Sequence, residues 1–292
     1  MKVGIACAWG PSATGRHIRR VAHAADRAGF ATFWLPEHVI FFAHYDSKYP
    51  YTEDGVIPLP DPSLDFAEAV VGMTWAAAAS TRIEVGTSVL ILPQRNPLVL
   101  AKQMATLDAF SGGRTVLGIG VGWSKEESDA VGVDFHRRGK NTDEYVAAMR
   151  ALWRNRVASF EGETVSFKDA YMFPKPARDI PIIVGGRSEA ALKRVARLGD
   201  GWIGAPDTPE NIMASVQRIK ELTLAEGRDF EAMRIIIPLA RETTLDDLKR
   251  YREAGVTEVF GGGPIDPTAD DATLEAQVNA LAEKLVHPIA DW

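Results

Sequence analysis

Cysteine is almost missing from this sequence of 292 residues, because Cys7 is the only one. A single cysteine excludes an internal disulfide and any zinc site built from several cysteines. Long apolar runs are missing too: no window reaches 18 uninterrupted apolar residues, so we expect no membrane partner. The opening letters MKVGIACAWG are too short for the apolar core of a signal peptide and predict a first strand instead. A reducing, cytoplasmic location fits, although a disulfide-free exported protein would look the same.

An excess of basic residues is also absent. The 33 lysines and arginines are outnumbered by 39 aspartates and glutamates, so the net charge of −6 argues against nucleic acid as a partner. A metal-dependent barrel hydrolase needs several histidines and aspartates at strand ends, whereas the first strand here ends in ACAWG. We therefore predict no metal site. Hydrophobic residues at 46% and charged residues at 25% are typical of a globular protein with a large core.

Apolar, strand-like runs alternate with amphipathic helical runs along the whole sequence. Eight such pairs occur, from KVGIACAW with GRHIRRVAHAADRAGF to TEVFGGG with TLEAQVNALAEKLV. No linker-like change of composition divides the chain, so we predict one domain, residues 1–292, folded as a (β/α)8 TIM barrel of the α/β class. A doubly wound open sheet is the alternative, because alternation alone does not distinguish an open sheet from a closed one.

Two insertions interrupt this alternation. Residues 41–62 are rich in proline and aromatic residues and predict a long loop. Residues 158–176 place alternating apolar residues on both sides of the letters EGE, which predicts a hairpin. Loops of this kind commonly carry specificity, so we expect both insertions to select a small-molecule substrate.

Two helix starts can be predicted from local signals. The run SLDFAEAVVGMTWAAAAS, residues 63–80, predicts a helix that begins at the preceding letters DPS. The run NPLVLAKQMATLDAFS predicts a second helix, with Asn96 as its N-cap and Pro97 in its first position.

The letters VLGIGVGW place three glycines, Gly118, Gly120 and Gly122, on one face of the fourth predicted strand. A dinucleotide fingerprint requires the spacing G-x-G-x-x-G at the start of a helix, so this pattern is a different one. A row of glycines leaves room for close approach to the backbone. We interpret Gly118 as either packing or ligand contact, and Gly120, Gly122 and the following Trp123 as ligand contacts at the barrel mouth.

Glu37 and His38 end the second predicted strand in the letters PEHV. Catalytic groups of barrel enzymes lie at the carboxyl ends of the strands. An imidazole in that position can titrate near neutral pH and can hydrogen-bond a ligand. We therefore take both residues as catalytic candidates, the alternative being a loop histidine that binds water.

The letters VGGRSEAAL join the fifth predicted strand to a helix. Gly185 and Gly186 allow a turn with exposed amides, and Arg187 and Ser188 add a charge and a hydroxyl. Since the N-terminus of a helix attracts anions, this turn predicts a phosphate cradle. A plain turn with Ser188 as an N-cap explains the same letters without a ligand.

Taken together, these motifs resemble the luciferase-like monooxygenase superfamily, specifically its branch of oxidoreductases that depend on the deazaflavin coenzyme F420. The matching stretches are FWLPEHV, GTSVLILPQRNPLVLAKQMATLDAFSGGRTVLGIGVGW, and IIVGG with AALKRVARLGDGW. The resemblance implies a bacterial-luciferase-like barrel with insertions, a homodimer, and a tricyclic ring bound at the barrel mouth. It also implies a non-proline cis peptide between Ser88 and Val89, which supports the ring, and a role for His38 at the ring or substrate.

The resulting hypothesis is an oxidoreductase that transfers a hydride between F420 and an unidentified small organic substrate. An FMN-dependent monooxygenase is the alternative, because both cofactors have a tricyclic ring and a phosphate. A barrel that binds a flavin without turnover is a third interpretation.

Overall fold

Parallel strands close into a barrel in the computed structural model of the chain, which describes residues 1–7, 9–59, 61–240, 243–261, 263 and 265–289. Its strands are β1 (Lys2–Ala6), β2 (Thr32–Leu35), β3 (Glu84–Thr87), β4 (Leu90–Ile91), β5 (Thr115–Gly120), β6 (Ala158–Glu161), β7 (Ser166–Ala170), β8 (Ile182–Gly185), β9 (Gly201–Ile203), β10 (Arg234–Pro238) and β11 (Glu258–Gly261). The barrel runs β1-β2-β3-β5-β8-β9-β10-β11, and β11 pairs back onto β1. The predicted closed barrel is confirmed, and the open sheet is excluded.

Helices surround the barrel and connect its strands. They are α1 (Gly15–Ala28), α2 (Ala69–Ala78), α3 (Pro97–Ser111), α4 (Lys125–Ala130), α5 (Arg138–Arg154), α6 (Glu189–Leu198), α7 (Pro209–Ala225), α8 (Leu245–Glu253) and α9 (Asp271–Leu285). Helix α3 begins as predicted, because the Asn96 side chain accepts hydrogen bonds from the amides of Leu98 and Val99 at 3.0 and 3.2 Å. In the part of the chain that the structure describes, no helix is both long and apolar enough to cross a bilayer.

The helix predicted over residues 63–80 starts later than expected. Helix α2 begins only at Ala69, where the Glu68 carboxylate accepts the amide of Val71 at 2.7 Å. The segment before it is held elsewhere, since Phe66 forms an antiparallel bridge with Trp9. A long-range backbone pairing therefore replaces the first turns that the local signal predicts.

Two segments interrupt the alternation of barrel strands and helices. Strands β6 and β7 form an antiparallel hairpin, as the alternating apolar residues predict. Residues 41–59 and 61–62 contain bends and turns without helix or strand, and they belong to the long connection between β2 and α2. That connection leaves the barrel at the carboxyl end of β2, so it extends over the mouth.

An ion network closes the opposite, amino-terminal end of the barrel. Arg234 donates to Glu84 at 2.8 Å and to Glu258 at 2.9 Å, and the Trp34 indole N–H donates to Glu258 at 2.9 Å. Above this network, apolar side chains fill the interior of the barrel: Ala6, Trp34, Val116, Ile183, Ile203, Ile236 and Phe260. Side chains therefore fill the lower barrel, whereas loops that follow the strands form the mouth.

Candidate functional site

His38 lies at the barrel mouth. The second strand is shorter than predicted, since β2 ends at Leu35, and His38 is the third residue after it. Its Nδ1 is 2.9 Å from a carboxylate oxygen of Glu127, at the start of the short helix α4. The ring packs against Phe41, with centroids 4.9 Å apart, and edge-on against Trp123 at 6.1 Å. The side chain keeps 14% of its surface exposed, so the imidazole is held firmly but remains accessible.

Glu127 is the partner that the sequence interpretation missed. Its carboxylate is 1% exposed, and its second oxygen accepts the amides of Val39 at 2.6 Å and Ile40 at 3.4 Å. Burial acts to raise the pKa of Glu127, but the hydrogen bond and charge of His38 and the two amides lower it below its ordinary value. The letters SKEE carry the signal S-x-x-E of a capping box, which points to a helix start and not to a contact with His38.

Glu37 points to a different set of partners. One carboxylate oxygen accepts the amide of Ile91 at 2.6 Å, and the other forms an ion pair with Arg95, which also binds Glu68 at 2.7 Å. Glu37 is 4% exposed. These contacts brace the segment that follows β3, so the geometry favours a structural role, and the predicted catalytic role stays a prediction.

A cis peptide bond joins Ser88 to Val89, as the resemblance implies. The Val89 side chain lies between two of the predicted site glycines. A Cβ on Gly120 would come within 2.7 Å of its Cγ2, and a Cβ on Gly185 would come within 2.9 Å of its Cγ1. The missing side chains of these glycines therefore make room for Val89.

At Gly118 and Gly122, the other two glycines of the row, the absence of a side chain also makes room for neighbouring groups. A Cβ on Gly118 would overlap the carbonyl oxygen of Thr87, and a Cβ on Gly122 would come within 2.9 Å of Ile91. Gly122 also has a φ of +79°, which a residue with a side chain rarely adopts. Packing against the end of β3 and the segment after it thus explains the row, and the ligand contacts of Gly120 and Gly122 stay a prediction.

The side chains of Trp123 and Gln94, near Gly122, contain buried polar atoms. The indole N–H of Trp123 and both polar atoms of the Gln94 amide have no hydrogen-bond partner within the described ranges. The Gln94 Nε2 would lie 4.0 Å from a Cβ on Gly122. Buried polar groups are normally satisfied, so these atoms indicate a place that a ligand or water completes. Sequence patterns gave no signal for Gln94.

Trp123 also anchors an aromatic cluster in the long connection after β2. Its ring lies 5.0 Å from Tyr45 and 5.3 Å from Tyr49, measured between centroids. The same loop is held by Glu126, whose carboxylate accepts the amides of Asp46 at 2.7 Å and Ser47 at 2.9 Å. Although partial burial opposes it, these hydrogen bonds lower the pKa of Glu126 to about 2. Because Tyr45 and Tyr49 pack on Trp123 and Glu126 holds their loop, the mouth is covered by an apolar, aromatic surface.

The glycine turn after β8 has the predicted form of a strand-to-helix turn. Gly186 has a φ of +111°, and the Ser188 hydroxyl caps α6 by accepting the amide of Ala191 at 3.2 Å. Arg187 lies over the Tyr51 ring at 5.3 Å, pairs with Asp207 at 3.4 Å, and donates to the carbonyl of Pro50. A helix N-terminus with a neighbouring guanidinium has the chemistry of an anion site, and the assignment to phosphate stays a prediction.

A barrel whose mouth combines a histidine, a cis peptide, glycine-rich strand ends and an aromatic roof has the architecture of the flavin-type barrel oxidoreductases. The chain belongs to the luciferase-like monooxygenase family, whose model matches residues 1–280. It is therefore an oxidoreductase of the luciferase-like type.

Curated relatives share substantial sequence with this chain. Protein Rv0953c of Mycobacterium tuberculosis is 38% identical over 266 residues, which cover 90% of this chain and 92% of that protein. The F420-dependent glucose-6-phosphate dehydrogenase of Kineococcus radiotolerans is 33% identical and matches 61% of this chain and 49% of its own length. The pyrimidine monooxygenase RutA of Allorhizobium ampelinum is 30% identical, and the match covers 60% of this chain and 50% of that protein.

Solved structures share the fold at lower identity. The monooxygenase RslO1 from Streptomyces bottropensis has a TM-score of 0.76 and 21% identity, with 99% of this chain and 100% of that chain covered. An F420-dependent secondary alcohol dehydrogenase in complex with an F420-acetone adduct has a TM-score of 0.74 and 17% identity, with 98% of each chain covered. At these identities, the likeness establishes the barrel fold alone.

Proposed function

We propose that the protein transfers a hydride between coenzyme F420 and a small organic substrate at the mouth of its barrel. The observation that carries the proposal is His38, which lies just beyond β2 at the barrel mouth and is held by Glu127 beside the Trp123 ring. An imidazole fixed at the mouth of a barrel oxidoreductase is placed to exchange a proton with a bound substrate.

The residues of the mouth fit a cofactor with a tricyclic ring and a phosphate. The N–H of Trp123 and the amide of Gln94, which have no partner among the residues that the structure describes, would pair with the polar edge of the ring. The turn of Gly185 to Ser188, with Arg187, would hold the phosphate at the start of α6. Val89, beside the glycines of β5 and β8, would support the ring from below.

Within that arrangement the protein's own groups would orient the substrate, exclude water and handle a proton. When bound, a deazaflavin supplies two-electron hydride chemistry. His38 would take the proton of a substrate hydroxyl at Nε2, or return it in the reverse direction. Glu37 and Arg95 would keep the segment after β3 in position. The aromatic roof would keep the site apolar, which favours an uncharged, apolar substrate.

F420 is proposed ahead of FMN on two grounds. The acidic residue before His38 matches the pattern of the deazaflavin branch, and a relative named as F420-dependent is 33% identical to this chain. The test is a fluorescence titration of the apoprotein with F420 and with FMN. We expect tighter binding of F420. Tight FMN binding without measurable F420 affinity would overturn the proposal in favour of an FMN-dependent monooxygenase.

Turnover of the His38→Ala variant tests the catalytic assignment. A single hydrogen bond contributes about 0.5–1.5 kcal/mol, so cofactor affinity should fall modestly. Loss of an acid or base should lower turnover roughly 10²–10⁴-fold. His23→Ala, an exposed histidine on α1, is the matched control and should leave both quantities unchanged. Cofactor binding with no turnover on any tested substrate would favour a barrel that only stores the cofactor.

A homodimer is part of the proposal. Helices α2 and α3 are neighbours and expose large apolar side chains: Val71, Trp75, Val99 and Phe110, of which Phe110 is 83% exposed. Exposed apolar patches of this kind mark interaction surfaces. Light scattering of the purified protein should give twice the chain mass of 31.9 kDa, and Trp75→Glu should shift it toward one chain mass. The expected cytoplasmic location stays a prediction that cell fractionation can test.

A further inference from the structure

Glu127 departs from the usual geometry of its local motif. Ser124 and Glu127 form the S-x-x-E pattern of a capping box, and the Ser124 hydroxyl accepts the amide of Glu127 at 3.0 Å as expected. In a complete capping box the glutamate would turn back to the amide of its own N-cap residue. Here both of its oxygens are instead directed to the segment after β2, at His38 and Val39. Glu127 thus makes a long-range contact in place of the local capping-box hydrogen bond, and such departures from local patterns are common at functional sites.

We propose that Glu127 is the positioning residue of His38: it holds the imidazole with its proton on Nδ1 and leaves Nε2 to exchange a proton with the bound substrate. The part of this inference that concerns turnover rests on the proposed function. The part that concerns the proton on Nδ1 depends only on the protein.

The chemistry of the pair fixes which nitrogen carries the proton. An ionised carboxylate only accepts hydrogen bonds, so the nitrogen that faces it at 2.9 Å must donate. A neutral imidazole has one N–H, and its other nitrogen then has a free lone pair. When His38 takes a proton at Nε2, the buried negative charge of Glu127 stabilises the imidazolium that forms.

The geometry of the pair is fixed from both sides. The Val39 amide donates to the other oxygen of Glu127 at 2.6 Å, which sets the direction of the carboxylate. Phe41 and Phe66 pack on the imidazole, with ring centroids 4.9 and 6.1 Å from it. A hydrogen-bonded partner that fixes both tautomer and ring orientation is a recurrent way to prepare a histidine for proton transfer.

Glu126 provides a matched control within the same helix. It also holds the long connection after β2, through the amides of Asp46 and Ser47, but it does not contact His38. Loss of loop anchoring should therefore affect Glu126→Gln and Glu127→Gln alike. Loss of histidine positioning should affect only Glu127→Gln.

Nitrogen NMR of the full-length protein labelled at its histidine rings tests the tautomer without any cofactor or substrate. The signals of His38 are those that disappear in His38→Ala. In the wild type and in Glu126→Gln, the neutral ring should show a protonated Nδ1 and an unprotonated Nε2. In Glu127→Gln the two tautomers should mix, because a carboxamide both donates and accepts. A protonated Nε2 in the wild type, or an unchanged tautomer in Glu127→Gln, would overturn the inference.

Kinetics with the loaded enzyme test the consequence for turnover. Glu127→Gln should lower kcat about 10- to 100-fold with little change in KM, as expected when the partner that orients a histidine is lost. Glu126→Gln, which removes only a loop anchor, should lower kcat much less than Glu127→Gln does. His38→Ala and the double variant His38→Ala/Glu127→Gln should have the same kcat, because Glu127 acts through His38. Equal losses in the two glutamine variants, or additive losses in the double variant, would contradict positioning. A wild type without turnover would contradict the proposed function, while the NMR result still decides the tautomer.

Discussion

The two ends of the barrel treat charged and polar side chains in opposite ways. At the amino-terminal end, Arg234 donates to both Glu84 and Glu258, and Trp34 also donates to Glu258. At the mouth, the carboxylates bind loop amides and a histidine, and the Trp123 N–H has no partner among the described residues. Barrels of this type keep stability at the lower face and chemistry at the upper one.

This difference shows how one fold separates the requirement for stability from the requirement for ligand binding. A saturated network rigidifies its surroundings, because every buried charge has its counter-charge. A mouth whose buried polar atoms have no partner in the described part of the chain gives up some stability and gains the capacity to bind. Changes at the lower end should therefore alter unfolding and leave binding intact, and changes at the mouth should do the reverse. Three predictions test this separation, beginning with the largest effect.

Arg234→Met should have the largest effect, and it should be on stability. The variant leaves the carboxylate of Glu258, which is 1% exposed, without its guanidinium. Removing one partner of a buried ion pair costs about 3–5 kcal/mol, so urea unfolding should show a loss of that size. Cofactor affinity of the folded protein should not change. Arg154→Met, which breaks an exposed pair with Asp179, should have little effect. Equal stability of the two variants would contradict a structural role for the lower network.

Glu84→Gln should have an intermediate effect that depends on pH. Burial acts to raise the pKa of Glu84, but Arg234 and Arg178 outweigh it and hold the pKa below its ordinary value. When the folded-state pKa of a carboxylate is lowered, its contribution to stability is fully present above the unfolded-state pKa. That contribution is lost as the pH falls through the folded-state pKa. The free energy of unfolding of the wild type should therefore exceed that of the variant by about 1.5–3 kcal/mol at pH 7. That range is typical of hydrogen bonds to charged groups. The difference should shrink toward zero below about pH 4, since an unperturbed Glu titrates near there. Urea unfolding across this pH range is the measurement, and a constant difference would show that the charge is not responsible.

Arg187→Met should have the smallest free-energy effect, and it should be on binding. The side chain is 47% exposed, so unfolding should stay unchanged. A charge-assisted hydrogen bond to phosphate contributes about 1.5 kcal/mol, so the Kd for the cofactor should rise roughly tenfold. Lys193→Met, on the exposed side of α6, is the control and should bind as the wild type does. An unchanged Kd in Arg187→Met would make the glycine turn a plain helix start.

The sequence predicts those features that local patterns determine. The alternation of apolar runs and helices predicts the barrel, and Asn96 and Pro97 predict the start of α3, because each signal lies within the element it specifies. The letters DPS fail to predict the start of α2, since the backbone pairing of Trp9 with Phe66 joins distant segments. Residue spacing does not contain that pairing.

The same distinction between local and long-range information separates the site residues that the sequence predicts from those that it does not. The histidine, the glycines and the cis peptide follow from short motifs and from the resemblance of those motifs to a family. Glu127 does not, because it meets His38 across 89 positions of sequence, and its own motif describes only a helix cap. Gln94 is recognised only when its buried surroundings are known.

The pairing of β1 with β11 also has a consequence for biosynthesis. Val3 lies opposite Val259 and Gly4 opposite Phe260, so β1, once synthesised, meets its second neighbour only after some 250 further residues. Until then β1 has one unpaired edge, which can associate with another chain. Pausing of translation before β11 should therefore lengthen the period in which the nascent chain depends on chaperones.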